Sequence, residues 1–336
     1  MQIEKVCVFG GSGFVGRSIV KMLAAKRYVV RVPTRNREQA KGLIVLPTVD
    51  VVTADVNDAS ELERLTAGMD AVINLVGILH QKKRGDFDSI HVELPRKIVA
   101  ACRKNKVKRL LHMSALNAGA NGPSAYLASK GRGESAVLSA SGEDFPATVF
   151  RPSVIFGRKD SFLNMFATLV KYFPVIFLGS PNARFAPVYV EDVARAYVLS
   201  LDDAATFGAS YNLCGPKAYT LRELVEFVGK ATGRKRRIIG LPDGFSYLQA
   251  WFLEYSPIKV LTRDNFYSMK MDSVCTAPFP FGFAPASMEE SVPTYLSANV
   301  SGKSRSSAGG LFKDGRGASL EDMESGIRQN WEKPAR

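Results

Sequence analysis

A tyrosine and a lysine stand four residues apart in the stretch Ser124 to Lys130, SAYLASK. On a helix these positions share a face, so the Lys130 ammonium can sit beside the Tyr126 phenol and favour its ionised form. A phenol so placed can exchange a proton with a carbonyl or alcohol oxygen while hydride moves at the adjacent carbon. The same spacing also suits an ordinary surface pair on a helix, so the surrounding chain has to decide.

The elements that must hold this pair are legible in the hydrophobic pattern. Residues 3–9 (IEKVCVF) predict a strand, the turn GGSGFVG follows, and RSIVKMLAAK has helical spacing. The alternation continues with strands at YVVRVPTR and VDVVTADV, a helix at ASELERLTAG and a strand at DAVINLVGIL. A helix over 90–104, the strand KRLLHMSA, the Tyr126/Lys130 helix and the strand FPATVFRPS complete the series. Alternating β and α units of this length predict an α/β fold, a parallel sheet with helices on both faces.

From about residue 160 the rhythm weakens, and residues 158–300 are expected to form a smaller lobe at the carboxyl edge of the sheet, with the chain able to return to it. Within this half, residues 244–261 (GFSYLQAWFLEYSPIKVL) are rich in aromatic side chains. They suit either a helix buried against the lobe or one lying on a membrane surface. Residues 301–336 open with SGKSRSSAGGLFKDGRGA and are expected to be a flexible tail.

Gly10, Gly13 and Gly16 lie between the first strand and the first helix. Glycine there lets the chain turn tightly, approach a pyrophosphate with no Cβ in the way and pack the helix close to the sheet. Phosphates then rest on free N–H groups at the helix start, among Gly13, Phe14, Val15, Gly16 and Arg17. The pattern predicts a dinucleotide site. A site for NAD(H) wants an acid at the end of the second strand to accept from a ribose 2′-hydroxyl, but the chain offers Val32-Pro33-Thr34-Arg35-Asn36-Arg37. Arg35, with Arg17, can meet a 2′-phosphate instead, which favours NADP(H) over NAD(H). Asp55 and Val56 are placed to border the adenine, and Asn74, Val76 and Gly77 to pass beneath the ribose and nicotinamide.

The 336-residue chain carries a formal net charge of +13, with basic runs at Lys82–Arg84, Arg103–Arg109 and Arg234–Arg237. Such an excess suits either a solvated face or an anionic partner, whether phosphate, lipid headgroup or acidic protein. No helix-turn-helix, zinc-finger or RNP pattern accompanies it, so nucleic acid is not an expected partner. The four cysteines, Cys7, Cys102, Cys214 and Cys275, lack ligand spacing, which predicts reduced thiols in a cytosolic setting and no metal site. No window of about 18 residues is free of charge and proline, so neither a secretory leader nor a membrane span is expected. The expected location is the cytoplasm, with peripheral attachment to the inner membrane as the sharper alternative.

Together, GGSGFVG, the DV after the third strand, NLVG, YLASK and RPSVIFG (151–157) resemble the extended, atypical branch of the short-chain dehydrogenase/reductase superfamily, the branch of NAD-dependent epimerases and dehydratases. The resemblance spans about residues 3–230. It implies a Rossmann-like, doubly wound sheet in residues 1–157, a smaller C-terminal substrate lobe, and Arg151, Pro152 and Ser153 at the nicotinamide end. It also implies a catalytic set of Tyr126, Lys130 and a hydroxyl residue beyond the fifth strand. In that branch the hydroxyl lies a little beyond the first one at the strand's end, and counting from Ser114 puts Leu116 there. Ser114 remains the candidate for that role, and Ser124 is also close to Tyr126 in sequence.

Within the branch, SALNA, the YLxxK helix and DNFYSMKMDSV (264–274) are similar to the nucleotide-holding accessory subunits of respiratory complex I and their bacterial relatives. That likeness implies NADP(H) held without demonstrated turnover, partners in a respiratory complex or in quinone biosynthesis, and a quinone or lipid contact. The intact Tyr126/Lys130 pair keeps a second class open: a reductase, epimerase or dehydratase acting on a small carbonyl or sugar-nucleotide substrate.

Overall fold

Alternate residues of β1 (Lys5–Phe9) face opposite sides of a sheet, with Val6 and Val8 in one core and Cys7 and Phe9 in the other. All four are fully buried, as a central parallel strand requires. In this computed structural model the described residues are 2–256 and 261–292, which belong to one unit. The expected flexible tail (301–336) lies outside them, as do residues 257–260 of the aromatic segment.

After β1 come α1 (Phe14–Ala25), β2 (Val29–Thr34), β3 (Val49–Thr53), α2 (Ala59–Thr66) and β4 (Ala71–Asn74). There follow α3 (Leu94–Lys104), β5 (Arg109–Met113), α4 (Ala125–Ser139) and β6 (Ala147–Pro152). Beyond Gly157 lie α5 (Phe162–Tyr172), β7 (Val175–Leu178), α6 (Val190–Leu199), β8 (Ser210–Leu213), α7 (Leu221–Ala231), β9 (Arg237–Gly240), α8 (Asp243–Glu254) and α9 (Arg263–Ser268).

Seven strands pair in parallel in the order β8-β6-β5-β4-β1-β2-β3. This is the Rossmann-like α/β sheet that the alternation predicts. Strand order reverses between β1 and β4, the switch point at which such sheets bind ligands beyond their carboxyl ends. Ile19 and Leu23 of α1 and Val193 and Tyr197 of α6 fill one face; Leu62, Ile98 and Val137 of α2, α3 and α4 fill the other.

The second half therefore contributes to the sheet twice, as α6 lies beside α1 and β8 extends the edge next to β6. Its remainder builds a separate apolar cluster, including Leu163, Phe166, Leu178, Leu224 and Val228, with β7 and β9 paired in parallel.

Local chemistry shortens one predicted element and changes the winding of another. β4 stops at Asn74, whose side-chain oxygen accepts from the Val76 N–H at 3.1 Å and turns the chain. The helix predicted over 90–104 begins with a wider π turn at Ser89–Glu93, and α3 follows with proline in its first turn.

Two expectations are corrected. Cys214 and Cys275 form a disulfide with a Cα–Cα distance of 5.9 Å, while Cys7 and Cys102 are free and buried. Sequence spacing carried no sign of this pairing, because β8 and the 272–275 segment meet only in the fold. The burial reading of the aromatic segment also fails for α8. Ser246 and Ala250 are its buried residues, whereas Phe245, Leu248, Phe252 and Tyr255 are exposed. Among the described residues no helix is long and apolar enough to cross a membrane.

Candidate functional site

Gly10 has φ = +79°, a conformation that strains any side chain but glycine's. A Cβ there would lie 3.1 Å from the Leu75 carbonyl carbon, so the turn after β1 touches the loop after β4. At Gly16 a Cβ would lie 2.3 Å from the Gly10 oxygen, which explains how α1 starts so close to the turn. Gly13 is different: within contact range its missing Cβ faces the Gly10 oxygen alone, at 3.1 Å.

Helix α1 has no side-chain cap and no acid in its first turn. The N–H groups of Phe14, Val15 and Gly16 are thereby left for an anion at the positive end of the helix. The Phe14 ring lies against Gly157, and Val15 packs towards the core, so both offer the site their backbone.

At the end of β2, Arg35 is exposed and has no partner among the described residues. Thr34 Oγ1 lies 3.3 Å from Ser12 Oγ, which joins the strand end to the glycine turn through two hydroxyls. Arg17, by contrast, donates to the Gln39 carbonyl at 2.7 Å, and Arg37 to the Val51 carbonyl at 3.0 Å. Asp55 is exposed and accepts from both the backbone and the side-chain amide of Asn57, at 3.1 and 2.7 Å. Val56 and Val76 pack against the core, and buried Asn74 faces His112 Nδ1 at 3.2 Å. Asn74 thus shapes the loop after β4.

Tyr126 and Lys130 sit in the first two turns of α4. Ser124 Oγ accepts from the Leu127 N–H at 3.1 Å, and Asp264 of α9 accepts from the N–H groups of Ala125 and Tyr126 at 2.7 and 3.2 Å. Lys130 is buried and donates to the Met113 carbonyl at 2.5 Å. Burial pulls its pKa down to about 8, with Glu134 opposing. A Cβ on Gly77 would lie 3.9 Å from the Lys130 Nζ, so the loop after β4 passes this ammonium.

The Tyr126 phenol differs from the sequence expectation. Burial, reinforced by Asp264, pushes it up to about 12. Lys130 is turned to the end of β5, while the Tyr126 ring packs edge-on against His91 at 5.5 Å and Phe87 at 5.9 Å.

Ser114 is buried, and its hydroxyl has no hydrogen-bond partner among the described residues. Leu116 donates its N–H to the Pro152 carbonyl at 3.0 Å and packs with Ala186, Cys214 and Cys275. Its position thus offers an apolar side chain and no hydroxyl. Arg151 donates Nε to Glu134 at 2.8 Å, and Ser153 Oγ donates to the Ser273 carbonyl at 2.7 Å. These bonds tie the end of β6 to α4 and to the 272–275 segment.

Residues 6–214 match the model of the NAD dependent epimerase/dehydratase family. The chain belongs to this family. It is 32% identical over 239 residues to the mitochondrial NADH-ubiquinone oxidoreductase 40 kDa subunit of Neurospora crassa, a match covering 70% of this chain and 62% of that protein. The chain thus spans under two thirds of that relative. It is 29% identical over 238 residues to the ceramide reductase of Caulobacter vibrioides, covering 71% of this chain and 74% of the reductase. The solved structure of MoeE5 in complex with UDP-glucuronic acid and NAD shares the fold with a TM-score of 0.67 at 17% identity, over 88% of this chain and 98% of that one.

This epimerase/dehydratase-family protein also uses residues that sequence reasoning passed over. His91 Nε2 accepts from the Ile78 N–H at 3.1 Å, and its Nδ1 lies 2.9 Å from Ser129 Oγ. Burial pushes the ring down to about 3, so it is neutral at ordinary pH and donates from Nδ1. Ser129 Oγ donates in turn to the Tyr126 carbonyl at 2.8 Å. His91 therefore joins the loop after β4 to the Tyr126 helix, and a lone histidine in a helical pattern gives no sign of that. Asp264 gave none either, being 139 residues from Ala125 in sequence.

Proposed function

We propose that this family member holds NADP(H) and works as an accessory or assembly factor linked to respiratory complex I or to ubiquinone metabolism. The uncapped start of α1 holds the pyrophosphate, Arg35 with the Ser12 and Thr34 hydroxyls holds the 2′-phosphate, and Lys130 beside Gly77 holds the nicotinamide ribose. When bound, the dinucleotide supplies or accepts hydride at its nicotinamide ring.

The observation that carries the accessory reading is Leu116, apolar and packed against Cys214 and Cys275 where a hydroxyl donor is expected. Losing such a donor costs an oxyanion of about 10²–10³ in rate. Burial keeps the Tyr126 phenol protonated, so it can donate to an oxygen and does not act as a base. The likeness to a respiratory-chain subunit supports the same direction.

A second reading rests on Ser114, whose buried hydroxyl at the end of β5 has no hydrogen-bond partner among the described residues. With Tyr126 and Lys130 it would serve a reductase, epimerase or dehydratase on a small carbonyl or sugar nucleotide. One experiment separates them: identify the nucleotide that co-purifies, then follow NADPH oxidation with quinones, aldehydes and sugar nucleotides. The accessory reading expects bound NADP(H) with negligible turnover. Rapid turnover abolished by both Tyr126→Phe and Ser114→Ala establishes the enzyme instead.

A further inference from the structure

Helix α8 docks on the lobe by its small and polar side. Ser246 Oγ accepts from the Ser180 N–H at 3.2 Å and donates to the Leu241 carbonyl, and Gln249 donates to the Phe177 carbonyl at 2.8 Å. The opposite stripe carries Phe245, Leu248, Phe252 and Tyr255, which are 64%, 55%, 71% and 72% exposed. No charge interrupts that stripe: Asp243 and Glu254 lie elsewhere on the helix, and Glu254 is paired with Arg263.

The lobe on which the helix docks carries further exposed apolar side chains. On the paired strands β7 and β9, Phe177 stands opposite Ile239, and both are exposed. Tyr172 and Phe173, at the end of α5, add 67% and 54% exposed rings just before β7. A monomeric surface rarely presents so many large apolar side chains together without a partner.

The charge around this surface names the partner. Arg237 precedes Ile239 by two residues on the same strand face. Arg234 and Arg236 donate to the carbonyls of Lys171 and Val170, which fixes the basic run against the end of α5. A recess of about 320 Å³ there is lined by Lys230, Arg234, Lys235 and Arg236, with Glu226 as its acid. Exposed aromatic rings beside clustered Lys and Arg are the side chains that an anionic bilayer takes, rings at headgroup depth and cations on the phosphates.

We infer that the outer stripe of α8, with Phe177, Ile239 and the Arg234–Arg237 run, is a docking face for an anionic lipid bilayer. This deepens the accessory reading by naming the surface such a protein sits on, and it stands on different residues. It also places the site: α9 packs against α8 through Tyr247 and Phe266, whose rings are 5.7 Å apart, and caps the Tyr126 helix through Asp264. Only one short helix separates the docking face from Tyr126.

The test is co-sedimentation of the full chain with vesicles of phosphatidylcholine alone and of phosphatidylcholine with phosphatidylglycerol, at low and high salt. Two variants are compared, Phe245→Ser/Phe252→Ser and Lys235→Glu/Arg237→Glu, all at exposed positions. Binding to the anionic vesicles should exceed binding to neutral ones at least tenfold, weaken with salt, and fall at least tenfold in each variant. Equal binding to both vesicles, undiminished binding by either variant, or no binding at all overturns the inference. So does a vesicle-free dimer that the phenylalanine variant abolishes, because a second copy then covers the face. The NADPH-induced rise in unfolding midpoint is measured on the same samples; its absence counts against the dinucleotide reading and leaves the vesicle result standing.

Discussion

The proposed NADP(H) preference rests on Arg35, the free cation at the end of β2 among the described residues, whereas Arg17 and Arg37 are held by backbone carbonyls. One charge-assisted contact to a 2′-phosphate is worth about 1.5–3 kcal/mol, or roughly ten- to hundredfold in affinity. Arg35→Ala should weaken NADPH by that factor in a titration and leave NADH nearly unchanged. Equal losses would remove Arg35 from the site. The buried histidines make a second prediction. His91 titrates near 3 and His112 well below its ordinary value, both because burial disfavours the cation, while in the unfolded chain both titrate near about 6.5. The unfolded state therefore binds more protons below that pH, and the native state loses stability as pH falls, by up to about 1.4 kcal/mol per pH unit for each histidine. Most carboxylates stay ionised down to about pH 5, so the slope between about 6.5 and 5 belongs mainly to these rings. Denaturant melts across that window should show it, and His91→Asn should roughly halve it. At this scale the sequence reading names Arg35, Tyr126 and Lys130 as candidates because local spacing announces them. His91 and Asp264 were illegible because their partners, Ile78, Ser129 and Ala125, are brought to them only by packing.

Helix α1 shows how one turn serves both packing and binding. Gly16 has no room for a methyl group, since a Cβ would overlap the Gly10 oxygen at 2.3 Å, whereas a Cβ on Gly13 would meet that oxygen alone, at 3.1 Å. Gly16→Ala should therefore destabilise the protein without ligand by about 1–3 kcal/mol, the usual cost of overpacking. Gly13→Val should lower the unfolding midpoint less than Gly16→Ala does and abolish the NADPH-induced rise. If the Gly13 variant keeps the full rise, the phosphates do not lie on this turn. Strand β5 carries the other decisive element contact. Arg109 is fully buried and donates to Thr148 Oγ1, Thr206 Oγ1 and the Ser200 carbonyl at 2.6, 2.7 and 3.0 Å, tying β5 and β6 to the turn after α6. Burial lowers its pKa to about 10, which leaves it charged at neutral pH. Arg109→Met strands those acceptors, so chemical denaturation should record a loss of about 2–4 kcal/mol. The ten elements from β1 to β6 were legible because each strand and helix keeps its own period. The lobe was not, since β7 and β9 are four-residue strands paired to each other, too short for alternation to declare itself.

At the scale of the whole molecule, the 272–275 segment fastens the second half to the sheet. The Ala186 N–H donates to the Ser273 carbonyl at 2.9 Å, the Ser273 N–H to the Arg184 carbonyl at 2.8 Å, and the Asn117 side chain to the Asp272 carbonyl at 2.9 Å. The Cys214–Cys275 bond locks the same place from β8, across a sequence separation of 61 residues that contains α7, β9, α8 and α9. Closing a loop of that length removes entropy from the unfolded chain worth about 4 kcal/mol in the chain-entropy description. The effect falls on the unfolded state, so the native dinucleotide cradle on β1 and α1 should be indifferent to it. Cys275→Ser, or reduction of the wild type, should therefore lower the unfolding midpoint while the NADPH-induced rise keeps its size. Differential scanning calorimetry with and without NADPH reads both quantities at once. A lower midpoint with an unchanged rise would show that the bond acts only as a clasp. If nucleotide binding fell together with the midpoint, the 272–275 segment would itself be shaping the nicotinamide end through Ser153 and Leu116.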